Sequence, residues 1–560
     1  MADVTPLQDQ LAKMRRDAEE RDAKRRADSY HAQYLPPAKV VISLEALGLI
    51  PEAEVKESGV AIIAAKDTKI AAISIDPKFS KSVQELESLK KKGYQINLFV
   101  VSKSSFEYAL SFYHFVSQKR EEITGKVRVE RALSKEDQAK KTSSLDSVPK
   151  VKEVITALND PSKVSELFEA VLSGALANKA SDIHFEPSED NIRLRYRIDG
   201  NLNDVFSDFS HSIYNSIISR IKLLSNLKLN VKDEPQDGRF TINLPTKDVE
   251  VRVALAPSEF GEVVVMRLLD PDSINLSLQD LGLRDDDLKI AQEQLDRPYG
   301  MVLNTGPTGS GKTTTLYAFL RHKNTPDLKI ITIEDPIEYH LEGIEQTQVD
   351  EEAGYTFAGG LRSLMRQDPD VILVGEIRDK ETAEIAVQAA LTGHLVLSTI
   401  HANEAAGAIP RLLDLGVKNV SLAPALNLLI AQRLVRRLCK YCKAEAEISE
   451  DLNKKIETFI NAMPDRVDKK HYLESMKTYK AVGCEKCNMT GYKGRVGIYE
   501  LLEISKKMQE LIVQGSGQLA IEEEIKNIDF VNMQQDGVLK VISGMTTFEE
   551  VEGVAGKIIW

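Results

Sequence analysis

The chain has 560 residues, enough for about three to five domains. Its hydrophobic share of 42% and charged share of 28% are ordinary for a folded chain, and its net charge of −12 argues against a nucleic-acid or anionic-lipid footprint. No apolar run reaches bilayer length and no signal peptide opens the chain, so the expected location is the cytoplasm, with only peripheral contact to the membrane.

Residues 1–38 are rich in Arg, Lys, Asp, Glu and Ala. Leu7, Leu11, Met14 and Ala18 fall at helical spacing and predict an exposed, thinly apolar helix that ends by Pro36-Pro37. It reads either as a solvated tail or as a docking helix. Residues 39–118 read as a small α/β domain, with strands at 61–65, 70–75 and 96–101 and a helix over 81–92. The polar stretch 119–150 reads as a linker.

Residues 151–275 read as a second α/β domain. A helix is predicted over 164–176 and a strand over 181–187. Ile192, Leu194, Tyr196 and Ile198 then alternate with Arg193, Arg195 and Arg197, which puts the arginines on one face of a strand. Asp199-Gly200 is a hairpin turn signal, and Ile213, Ile217, Ile221 and Leu224 mark a helix stripe. Arg252 lies opposite Val249, Val251, Val253 and Leu255, and Arg267 follows the run 263–266. Such an arginine face is either simply solvated or supplies charge to a phosphate across a domain or subunit boundary.

The strongest signal is Gly306-Pro307-Thr308-Gly309-Ser310-Gly311-Lys312-Thr313, set between an apolar strand at 301–305 and a helical run at 314–320. This is the G-x-x-x-x-G-K-[ST] phosphate loop. Its glycines let backbone N–H groups curl around phosphate oxygens, and the helix N-terminus adds positive potential. Lys312 is placed to reach the β- and γ-phosphates of ATP and the Thr313 hydroxyl to bind Mg²⁺, with the binding stretch running to Thr314. A second buried strand, 330–333, ends in Glu334, Asp335 and Glu338, where a carboxylate could orient or deprotonate water. A third, 371–374, ends in Gly375-Glu376, so its acid sits one step later than the usual strand-end Asp. A fourth, 395–400, is bracketed by His394 and His401, either structural or reactive.

Four cysteines form two knuckles, Cys439-x-x-Cys442 and Cys484-x-x-Cys487, which together suit a closed Cys₄ zinc site. The long insert between them needs helices of its own, such as 452–462. Unliganded buried cysteines are one alternative. A nucleic-acid-binding zinc ribbon using Lys440, Lys443, Lys493 and Arg495 is another.

Together, residues 306–313, 332–338, 374–379 and 392–401 resemble the GspE/PilB-like secretion ATPases of type II secretion and type IV pilus assembly. Residues 181–184, 193–200, 237–240, 261–270 and 544–551 carry the likeness further, so that it runs from about residue 160 to the end. The resemblance implies an α/β multidomain fold. A RecA-like P-loop ATPase core at 276–437 follows a PAS-like arginine-bearing domain at 151–275. A tetracysteine zinc module at 438–500 and a C-terminal helical region at 501–560 complete the chain.

It further implies a homo-hexamer that works with an inner-membrane platform protein and other pilus or secretion components, with ATP, Mg²⁺ and Zn²⁺ as cofactors. Glu338 matches the family's catalytic glutamate and Glu376 its Walker B glutamate. Arg252 and Arg267 match its phosphate-contacting arginines, and His401 its γ-phosphate sensor. The cysteines favour the assembly or secretion side over pilus retraction. His401-Ala402-Asn403-Glu404 departs from the family's His-Thr-Asn-Asp, and residues 39–118 lack the Arg-Leu-Gly-type repeats of a cyclic-di-GMP-binding domain. The competing reading is a P-loop nucleic-acid motor or a zinc-ribbon nucleic-acid-binding protein. The acidic charge and the lack of an aromatic-interleaved basic patch count against it, and no nucleic-acid partner is expected.

Overall fold

A computed structural model describes residues 6–30, 32–37, 42–66, 68–113, 126–128, 145–516 and 518–560. The chain divides into two compact units. One comprises Met1–Leu145, Lys150–Arg197 and Leu202–Leu268; the other comprises Asp146–Pro149, Ile198–Asn201 and Leu269–Trp560.

The first unit holds two sheets. Strands β1 (Gln33–Tyr34), β2 (Val60–Lys66), β3 (Lys69–Ser74) and β4 (Gln95–Val100) are ordered β1-β4-β3-β2. The N-terminal helix, Pro6–Ser29, packs on this sheet through Ala23 and Ala27, both buried, and Arg26 Nη1 donates to the Ile75 carbonyl at 2.7 Å. Alanines and an arginine stem make the contact, so the apolar spacing of the sequence understated it. The Leu7, Leu11 and Met14 side chains lie outside the described residues.

The second sheet is seven-stranded, in the order β5-β9-β10-β11-β6-β7-β8. Its strands are β5 (Lys126–Arg128), β6 (Ala180–Pro187), β7 (Ile192–Ile198), β8 (Asn201–Phe209), β9 (Gln236–Asn243), β10 (Asp248–Ser258) and β11 (Gly261–Leu269). β5 falls inside the stretch read as a linker. It pairs in parallel with Thr241–Asn243 and buries Val127. Ile192, Leu194 and Tyr196 are fully buried, and the Tyr196 hydroxyl donates to the Val171 carbonyl of the helix Val164–Ala177 at 2.6 Å. The arginines take the opposite face, as period two requires.

The second unit is built on another seven-stranded sheet, ordered β14-β13-β15-β16-β12-β17-β20. Its strands are β12 (Gly300–Thr305), β13 (Ile330–Glu334), β14 (Glu345–Gln348), β15 (Val371–Val374), β16 (Leu395–Ile400), β17 (Leu426–Leu438) and β20 (Tyr492–Glu503). A separate pair, β18 (Ala444–Ala446) and β19 (Thr478–Lys480), lies between β17 and β20 in the chain. Every pairing in the large sheet is parallel except β17 with β20. Both faces are covered: Leu303, Ile331 and Ile372 enter one core, and Val302, Leu373 and Leu397 enter the other. Coverage on both sides explains why these strands read as unbroken apolar runs.

A buried ionic network ties the unit together. Arg284 lies 2.8 Å from Asp536 and 2.7 Å from Asp287, while Arg466 lies 2.6 Å from Asp286 and 2.7 Å from Asp287. Lys540 pairs with Asp536 from the next turn of the helix Met533–Ile542. Asp287 and Asp536 are essentially fully buried, so their charges depend on these partners. Arg284→Met leaves Asp287 with Arg466 and Asp536 with Lys540 as their remaining cations and is expected to cost about 3–5 kcal/mol of stability. Urea unfolding measures it, and a loss below about 1 kcal/mol would show that the network adds nothing net.

Candidate nucleotide site and cysteine cluster

The phosphate loop leaves the end of β12 and turns into the helix Lys312–Lys323. Gly306, Gly309 and Gly311 have φ of 148°, 80° and 90°. A Cβ on Gly306 would lie 2.6 Å from the Gln432 carbonyl oxygen, and one on Gly311 would lie 2.8 Å from Gln432 Nε2. Both positions therefore need glycine for backbone angle and for space. The Gln432 side-chain oxygen accepts from Asn304 Nδ2 at 2.9 Å and from Thr315 Oγ1 at 2.8 Å, clamping the loop at both ends. The Thr305 and Ser310 hydroxyls are buried without a hydrogen-bond partner. Orphaned donors in a glycine cradle at a helix N-terminus fit a phosphate group.

Lys312 Nζ donates to the carbonyls of Gly306 at 2.8 Å and Pro307 at 3.0 Å. Burial lowers its pKa. Glu376 and Glu338 oppose that shift and Arg433 adds to it, so the ammonium lies in the field of all three. Thr313 and Thr314 are half-buried in the first helical turn. Pro307 and Thr308 are exposed at the loop tip.

The acid cluster after β13 separates into two kinds of group. Glu334 is buried and accepts from Tyr317 Oη at 2.5 Å, Thr332 Oγ1 at 2.6 Å and Gln346 Nε2 at 3.1 Å, so it is committed to structure. Glu338, one strand-end loop further on, is half-buried, and its charge acts on Lys312. Glu376 follows β15 and lies 2.6 Å from Arg378 Nη2 and 3.6 Å from His401 Nε2. Of the two histidines around β16, His394 is at the opposite end of the sheet, with Nδ1 3.0 Å from the Ala389 carbonyl. His401 is at the end that carries the phosphate loop. Lys312, Glu338, Glu376 and His401 thus gather at the C-terminal ends of β12, β13, β15 and β16, where ligands bind in open α/β sheets.

Arg252 and Arg267 belong to the first unit. Arg252 sits opposite Arg239 on β9 and lies 3.8 Å from Glu250. Arg267 sits opposite Asp182 and donates to it at 2.9 Å; Asp182 also lies 3.5 Å from Arg197. Sequence reasoning missed Gln432 and Arg433. The signal available was a polar pair inside the apolar run at 428–435.

Cys439 and Cys442 follow β17, and Cys484 and Cys487 precede β20. Their four sulfurs all lie within 4.8 Å of one another, with contacts of 3.9 Å (439–484), 3.8 Å (442–487) and 3.7 Å (484–487). A tetrahedral zinc with Zn–S of about 2.3 Å spaces its sulfurs by about 3.8 Å. The N–H groups of Cys484 and Gly491 each point at the Cys487 sulfur, at 3.2 Å. No pair is disulfide-bonded, and the cluster is compatible with zinc. Lys443 and Lys493 are spent on the carbonyls of Gly544 and Lys486, both at 2.8 Å. The insert carries the helix Glu450–Asn461, whose Ile456 and Ile460 pack with Leu539 and Ile542.

A phosphate loop at the C-terminal edge of a mainly parallel, doubly covered sheet defines the class as an α/β nucleotide-binding core. Within that class, the chain belongs to the type II/IV secretion system protein family, whose model matches residues 157–553. It is 40% identical over 482 residues to the type IV pilus assembly ATPase PilB of Myxococcus xanthus, a match covering 85% of this chain and 81% of that one. It is 44% identical over 406 residues to the type II secretion system protein E of Aeromonas hydrophila, covering 72% and 78%. The solved structure of the ATPase DotB of Legionella pneumophila shares the fold, with a TM-score of 0.51 and 21% identity over 70% of this chain and 95% of that one. Among the described residues no helix is long and apolar enough to cross a membrane.

Purified protein is expected to carry about one zinc per chain by elemental analysis. Cys487→Ser should lose the metal and lower the melting temperature. Metal-free protein of unchanged stability would rule out a structural zinc.

Proposed function

We propose that the chain is a Mg²⁺-dependent ATPase of the assembly or secretion type, which turns hydrolysis into mechanical work on pilin-like subunits. The reading is carried by the meeting of Lys312, Glu338 and Glu376 beside the phosphate loop, in a chain of this family. Backbone N–H groups over residues 306–314 would cradle the phosphates, and the Thr313 hydroxyl would hold Mg²⁺. Lys312 would exchange its two loop carbonyls for phosphate oxygens. Bound Mg²⁺ neutralises charge on the phosphates. Glu376 would support the metal shell, and Glu338 would orient or deprotonate the attacking water. His401, within reach of Glu376, would read the γ-phosphate position.

In this reading the second unit contains a RecA-like core, and residues 151–275 form a PAS-like domain whose Arg252 and Arg267 steady the γ-phosphate. The domain limits proposed are those drawn from the sequence: 1–38, 39–118, 119–150, 151–275, 276–437, 438–500 and 501–560. Six copies would form a ring at the cytoplasmic face of the inner membrane and hand the work to a platform protein there. The cysteine module would hold zinc as a structural element.

Glu338→Gln is expected to leave nucleotide affinity intact and to lower ATP turnover by roughly 10²- to 10⁴-fold. Wild-type turnover in that variant would remove Glu338 from the role. Turnover per chain should rise with protein concentration and ignore added DNA. A several-fold stimulation by DNA would favour a nucleic-acid motor instead.

A further inference from the structure

His401 opens the loop 401–407, which follows β16, and this loop is held by two residues outside every motif named above. Arg433 Nη2 donates to the Asn403 carbonyl at 2.8 Å. The Ala405 N–H donates to Glu500 Oε2 at 3.0 Å, and Ala405 is fully buried. The other Glu500 oxygen accepts from the N–H of Met533, at 3.2 Å, where the helix Met533–Ile542 begins.

Arg433 is on β17 and Glu500 on β20. Glu500 sits opposite Ala431, two residues from Arg433, so both side chains leave the same face of the ladder. Arg433 also reaches the phosphate loop. Its Nη1 donates to the Gln432 carbonyl at 3.0 Å and would lie 3.1 Å from a Cβ on Gly306. Gln432 in turn fixes Asn304 and Thr315 at the two ends of the loop. Neighbouring residues of one strand therefore grip the phosphate loop and the His401 loop from opposite faces of the sheet.

The electrostatics agree. Burial raises the Glu500 pKa and Glu404 adds to that, while the Ala405 and Met533 N–H groups and Arg433 oppose it. Burial lowers the Arg433 pKa, and Glu500 opposes that. The two N–H groups are the main support of the buried Glu500 carboxylate, and the Arg433 charge adds to them.

We propose that Arg433 and Glu500 are positioning residues, a brace that fixes the loop 401–407 against the phosphate loop so that filling the latter and setting His401 beside Glu376 are one event. This rests on the reading of residues 306–314 as the ATP site.

The test uses full-length Glu500→Gln, Arg433→Met and Arg433→Lys. Amide hydrogen exchange over 402–407, with and without ADP, is read beside the affinity for a fluorescent ADP analogue and the steady-state kcat and KM. In the wild type, ADP should slow exchange over 402–407. In Glu500→Gln and Arg433→Met, exchange there should rise about tenfold and lose its response to ADP, with β12 unchanged. Analogue affinity and KM should stay within about threefold while kcat falls about tenfold or more. Arg433→Lys, which keeps the charge but not the fork, should fall between. Unchanged exchange in all variants, or a loosened loop with wild-type kcat, overturns the brace. If a variant melts below the assay temperature, Arg433→Lys decides alone by the same criteria. If the wild type hydrolyses no ATP, the ATP reading fails, while the exchange response to ADP still decides whether the two loops are coupled.

Discussion

The second unit depends on how one buried carboxamide is satisfied. Gln432 is 2% exposed, and its side-chain oxygen would be costly there without donors. Asn304 and Thr315 supply them, one on the last turn of strand before the phosphate loop and one on the first turn of helix after it. The loop is thus held open by a residue more than a hundred positions away in sequence. The close approach of the Gln432 backbone then leaves no room for a side chain at Gly306. The cradle is a product of β17 as much as of the loop's own glycines.

The same strand organises the far end of the unit. β17 and β20 pair from Leu428 with Glu503 to Leu438 with Tyr492, and the two cysteine knuckles stand where that ladder runs out. The knuckles therefore close a hairpin whose middle, at Gln432, holds the phosphate loop. The long insert is also anchored apart from the cysteines. Arg466, shortly after the helix Glu450–Asn461, reaches Asp286 and Asp287 at the start of the core helix Asp285–Leu295. Asp536 accepts from the Tyr499 N–H of β20 at 2.9 Å and shares Arg284 with Asp287. A buried charge network has few alternative arrangements of similar energy, because every displacement strands a charge. Insert, core helix and C-terminal helix are accordingly held in one geometry.

What the sequence made legible follows from how each element is buried. The four parallel strands beside the phosphate loop stand out because both faces are covered, which leaves short, unbroken apolar runs. β17 was not legible. Its thirteen residues mix Leu and Ile with Asn427, Gln432, Arg433 and Arg436, and neither period two nor period 3.6 is clean. Its polar residues are explained only by partners far away in the chain. By strand-end position alone Glu334 and Glu338 are equivalent, and only the family resemblance separates them. They differ because Tyr317, Thr332 and Gln346 converge on Glu334 alone. His394 and His401 likewise bracket one strand in sequence, yet stand at opposite ends of a sheet with only one ligand-binding edge. The helix Pro6–Ser29 was underestimated because alanines make its contact, and alanine gives little hydropathy signal.

Arg267 has a further constraint to meet if it serves a phosphate. It already donates to Asp182, which is only 7% exposed, so leaving that carboxylate alone would strand a buried charge. Arg197 removes the difficulty, since its Nε lies 3.5 Å from the other Asp182 oxygen. Asp182 can keep one guanidinium while releasing the other. Arg267 is also the more exposed of the two, at 58% against 36%, and so the less costly to move. Moving Arg267 away loses one ion pair but leaves the Asp182 charge with the other.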